Sequence, residues 1–121
     1  MQLINERTRK SVADMVEVAD TRAARRRGLL GRTGLDKGAA LMLIPCFSVH
    51  TAFMRFPIDV IFLDGDGCVV RTVSRLAPWR MAVCPRARAV VELRAGCLES
   101  LAVNAGDALY LVPIREQRRA S

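Results

Sequence analysis

Cys46, Ser48 and His50 stand at alternate positions. On an extended segment alternate side chains face the same way, so these three would share one face and Phe47, Val49 and Thr51 the other. A thiol, a hydroxyl and the chain's only His could form a nucleophile–base pair. A neutral His beside Cys46 also offers two metal ligands. A third ligand would have to come from as far away as Cys84. The plainer reading is a His bonded to a backbone carbonyl near the surface, and no metal or cofactor is assigned. Asp59 is the second candidate. It sits between Ile58 and Val60 on an apolar strand, directly after Pro57. A carboxylate buried there without partners costs several kcal/mol. It must accept backbone N–H groups, meet an arginine (Arg55 or one of residues 22–32), or stand at an open mouth.

Other clusters favour plain readings. Asp64-Gly65-Asp66-Gly67 has the alternating carboxylates of a calcium loop, but its twelfth position is Arg75. It reads as a hairpin turn. Arg22, Arg25, Arg26, Arg27 and Arg32 are concentrated in one stretch, and on a helix Arg22, Arg25 and Arg26 share a face. Arginine forks suit carboxylates and phosphates. Arg80, Arg86, Arg88 and Arg94 form a second basic region beside Trp79. One Trp and one Tyr, in a chain with 5% aromatic residues, make a poor stacking platform, so nucleic acid is the weaker expectation. Met42, Phe47, Phe53, Met54, Phe56 and Phe62 read as core, or as the wall of a pocket.

The elements that position these residues are short. Leu3-Ile4 and Val12 to Val18 read as strands around a polar turn at Asn5 to Lys10. Asp20 or Thr21 caps one short helix, and Gly28 or Gly31 ends it. Leu41 to Ile44 is an apolar run stopped by Pro45, and Ser48 to Phe53 is extended. Ile58 to Leu63 and Cys68 to Val73 form a β-hairpin. Pro78 and Pro85 punctuate a loop. Ala89 to Leu93 is a strand, Gly96 to Val103 holds a helical turn, and Ala108 to Val112 is the last strand. The expected class is α+β, mainly β: a small curved antiparallel sheet or partly closed barrel with one or two short helices.

Composition bounds the rest. The chain has 121 residues, one domain's worth. Its ordered core is expected at about residues 12–113, with the start and the basic tail, 115–121, least ordered. It carries 19 Lys+Arg against 12 Asp+Glu, net +7, and 17 of the basic residues are Arg. No apolar run reaches the roughly 18–20 residues of a membrane span. The first residues lack the pattern of an export signal, so a cytoplasmic location is expected. Cys46, Cys68, Cys84 and Cys97 are widely spaced among apolar neighbours and read as free, mostly buried thiols.

An Arg…Gly-Leu element runs from Arg25 to Leu29. Met54 then leads into Pro57-Ile58-Asp59. Gly67, Glu92-Leu93-Arg94-Ala95-Gly96 and Gly106-Asp107 follow in order. In these elements, over about residues 12–113, the sequence resembles the uncharacterised domain-of-unknown-function family 192. Many members carry Trp-Met where this chain has His50-Thr51, and Met where it has Leu30. The resemblance implies a compact β-rich domain and no particular activity. Some members occur behind export signals.

Three functions are in view. The leading one is a non-catalytic binding or accessory domain. It holds a small anionic ligand, a peptide or a protein partner at His50, Thr51, Met54, Asp59 and Arg25. The second is a hydrolase- or transferase-like enzyme using His50 and Asp59, or Cys46. It requires the two side chains within hydrogen-bond reach, and no catalytic residue is assigned. The third is electrostatic binding of a polyanion through Arg22 to Arg32.

Overall fold

A computed structural model of the chain describes residues 1–114; the basic tail, 115–121, lies outside the described residues. The strands are β1 (Gln2–Asn5), β2 (Ser11–Ala13), β3 (Met15–Ala19), β4 (Ala39–Leu43), β5 (Ser48–His50), β6 (Ile58–Leu63), β7 (Val69–Leu76), β8 (Met81–Val83), β9 (Ala89–Arg94) and β10 (Leu109–Val112). The helices are α1 (Arg22–Arg27) and α2 (Cys97–Ser100). The class is mainly β, as expected, with two short helices.

Five strands form the central sheet in the order β3-β4-β9-β6-β7. Its ends, β3 and β7, do not meet, so of the two expected forms the open sheet holds and the barrel does not. One pair departs from the antiparallel expectation: β3 runs parallel to β4, with Met15 opposite Ala39 and Ala19 opposite Leu43. The excursion through α1 is what returns the chain to the same end of the sheet. Thr21 caps α1 by accepting the Ala24 N–H at 3.1 Å, and Gly28 ends it at φ +47°.

Both faces of the central sheet are covered. One packs against Leu3, Val12, Ala13 and Leu109; the other against Leu29, Val49 and Ala82. Every residue of β6 is therefore buried, and its run of apolar residues follows from burial on two sides. Against the expectation that the chain's start lies outside the ordered core, Leu3 is fully buried and β1 pairs with both β10 and β2. Val12 to Val18 is two strands rather than one. Asp14 interrupts the ladder, accepting from Ser11 Oγ at 2.7 Å, and the chain passes there from the three-stranded sheet β10-β1-β2 into the central one. The segment between Pro78 and Pro85, expected as loop, contains β8, which pairs with β5 in a two-stranded ribbon. No helix among the described residues is long and apolar enough to cross a membrane.

Candidate functional site

A cleft lies between α1, the start of β5 and the central sheet. It encloses about 140 Å³. Leu29, Leu43, Val49 and Met54 supply apolar walls, and Arg25, Cys46, Ser48, His50 and Glu92 supply polar groups. Each is there for a local reason. The ribbon with β8 turns Val49 and Ala82 toward the core, which leaves Ser48 and His50 outward at the mouth. Arg25 closes the rim by donating to the carbonyls of Asp20 at 2.9 Å and Ile44 at 3.4 Å. The Cys46 thiol donates to the Ser48 carbonyl at 3.0 Å. Burial pushes its pKa up from 9.0, so it is a neutral thiol and not an activated nucleophile.

The deepest polar group is Glu92 on β9, 4% exposed. Every fully enclosed side-chain N or O among the described residues has a hydrogen-bond partner. The Glu92 carboxylate receives no hydrogen bond from any of them, so it opens onto the cleft. Burial raises its pKa from 4.5 to about 7, opposed in part by the charge of Arg32. Arg32 itself is paired with Glu17 at 2.6 Å.

Glu92 is the residue that sequence reasoning missed. It was on view in the Glu92–Gly96 element, an acid flanked by Val90, Val91 and Leu93. The burial argument applied to Asp59 applied to it equally.

Asp59 has a different fate. Register places it opposite Leu93, whereas Glu92 lies opposite Val60 and Leu41. Neighbouring strand positions face opposite ways, so Asp59 points to the other side of the sheet from the cleft. Its Oδ1 accepts the Arg75 N–H at 2.8 Å, and its Oδ2 accepts the N–H groups of Gly96 at 3.1 Å and Leu98 at 2.8 Å. The pairing of β6 with β7 shifts register between Ile58 and Val60, which frees the Arg75 N–H from the ladder. Asp59 thus fixes a bulge and the start of α2. Its partners are backbone groups, not the arginines of residues 22–32 or Arg55. The structure does not bring His50 and Asp59 together as an acid–base pair.

Thr51 is also fully buried. Its hydroxyl donates to the Ala77 carbonyl at 2.6 Å and accepts the Arg80 N–H at 2.8 Å. Its carbonyl accepts from Met54 at 3.1 Å and Trp79 at 3.0 Å. It ties two loops together and does not line the cleft. Of the five expected ligand-binding residues, Arg25, His50 and Met54 meet at one site. The Asp64 carboxylate is spent inside its turn, accepting from the N–H groups of Asp66 and Cys68 at 2.9 Å. Cys84 is buried and the other three thiols are half-buried.

Comparison with known proteins supplies a family. The model of domain-of-unknown-function family 192, described as an uncharacterised ACR, matches residues 3–111. A UPF0127 protein of Pyrococcus abyssi is 37% identical over 112 residues, covering 87% of this chain and 92% of that protein. One from Pyrococcus furiosus is 48% identical over 63 residues, a match spanning 51% of this chain and 53% of that relative. The crystal structure of a protein of unknown function from Novosphingobium aromaticivorans superposes with a TM-score of 0.80 at 21% identity. It covers 92% of this chain and 84% of the other. At that identity the likeness speaks to the fold.

Proposed function

The chain belongs to this uncharacterised family, and from its cleft we propose that it is a binding domain for a small molecule with an apolar body and a hydrogen-bond-donating head. The observation that carries the reading is Glu92: buried, without a hydrogen bond from any described residue, and open to a hollow with apolar walls and an arginine rim. A site of that kind rewards a ligand that brings a donor to the carboxyl, because a hydrogen bond to an acid in so desolvated a setting is stronger than one made in open water. An ammonium or amide N–H fits the acid, and the Leu29, Leu43 and Met54 walls fit the body. Any anionic portion of the ligand meets Arg25 at the rim.

Binding is favoured over catalysis by two facts. His50 and Asp59 face different sides of the sheet, and the Cys46 thiol is held neutral. The test is a thermal-shift and calorimetric titration with short-chain primary amines, the matching amides and the matching carboxylates. Amines or amides are expected to raise the wild-type Tm and to lose that effect in Glu92→Gln. A Tm that stays flat across the set, or an equal response in Glu92→Gln, overturns the reading.

A further inference from the structure

A second feature lies on the outer face of the β5–β8 ribbon. Phe53 is 73% exposed, Trp79 59% and Met81 67%. Lone exposed apolar residues need no explanation, but these are neighbours. The rings of Phe53 and Trp79 pack with centroids 4.6 Å apart at 59°. Met81 lies opposite His50 in the ribbon, so the strip runs up to the mouth of the cleft.

The aromatic pair is held in place rather than loose. Phe53 and Trp79 have φ of +64° and +63°, a region that bulky residues rarely occupy. Backbone in that state persists only where its surroundings fix it. Here the buried Thr51 does so, bonding Ala77, Trp79, Arg80 and Met54 at once. The rings therefore stand out from a rigid base.

The two loops that carry the rings are basic. Residues 51–57 and 77–80 contain Arg55 and Arg80 and no Asp or Glu. Arg71 reaches the far end of β8, donating to the Val83 carbonyl at 2.8 Å. A second copy of this chain, net +7, would bring like charge to the patch.

We propose that the Phe53–Trp79 platform is a docking site for single-stranded nucleic acid, with bases stacking on the exposed rings and phosphates meeting the flanking arginines. An acidic peptide would satisfy the arginines but has no flat base for the rings. Duplex DNA presents its bases already stacked. Sequence alone argued against nucleic acid because it shows one Trp; the fold supplies Phe53 as the second ring.

The experiment is fluorescence anisotropy with a labelled oligo-dT at about 50 mM salt and rising salt. Binding is expected to weaken steeply with salt. Trp79→Ala and Phe53→Ala are each expected to weaken it about tenfold, and Trp79→Phe to retain most of it. Lys37→Ala, a charge change away from both loops, is expected to leave it nearly unchanged. Circular dichroism and Tm confirm that each variant folds. No binding at the lowest salt, Trp79→Ala binding like wild type, or polyglutamate or duplex binding as tightly as oligo-dT each overturn the proposal. The cleft reading is tested with other residues and other ligands, so either proposal can fail alone.

Discussion

Replacing Glu92 with Gln makes the sharpest prediction. The folded chain holds the Glu92 proton up to about pH 7, whereas the usual value is 4.5. Between these values the folded state binds a proton that the unfolded state has released. Stability therefore falls as pH rises through that window. The penalty is absent below pH 4.5 and fully developed above about pH 7. At about 1.4 kcal/mol per pH unit, the gap between 4.5 and about 7 is worth on the order of 3 kcal/mol. Gln cannot ionise, and in size and polarity it resembles the protonated acid. Wild type and Glu92→Gln should be close in stability near pH 5, and the variant should be more stable by about 3 kcal/mol near pH 8, or roughly 10 °C in Tm. Urea unfolding of both proteins at the two pH values measures this directly. Other titrating groups are common to both and drop out of the difference. Asp107, which Arg7 and Asn5 hold below the usual carboxylate range, loses its contribution only at pH below that window. A wild-type–variant difference that is the same at both pH values would refute the burial argument, and with it the claim that the cleft holds a desolvated acid.

Two further substitutions separate structural from ligand roles. Asp59→Ala leaves three partly buried N–H groups without their acceptor and should cost about 3 kcal/mol in urea unfolding. Asp59→Asn should cost less, and the folded fraction of either should still bind whatever the cleft takes. Thr51→Val keeps the shape and removes the hydroxyl. It should cost about 2 kcal/mol and shift Trp79 emission, since the hydroxyl holds the Trp79–Arg80 turn; unchanged emission would sink the claim that Thr51 sets the platform.

Much of the fold is legible in local sequence. The hairpin from Ile58 to Val73 and the cap at Thr21 depend on residues a few positions apart, so propensity and turn chemistry suffice. The parts that local signals hide are set over long range. Asp14 divides one apolar stretch between two sheets because Ser11 bonds its carboxylate and the chain changes partners there. The three residues of β8 lie between prolines, and only pairing with β5 makes them a strand. The first strand reads as a loose end until β10, more than a hundred positions later, pairs with it.

The site shows the same limit in a sharper form. Asp59 and Glu92 carry one signature, an acid within a buried apolar strand, and strand alternation gives each a face without saying what that face meets. What meets Asp59 is a set of N–H donors from 16, 37 and 39 residues away, released by a bulge in β7 and by the first turn of α2. What meets Glu92 is a hollow beside α1, whose six residues leave part of the sheet uncovered. One carboxylate is thereby consumed in holding the fold, and the other opens onto the cleft. The difference lies in the donors that the rest of the chain delivers, so satisfaction of the acid, and not its presence in the sequence, separates a structural residue from a candidate for binding.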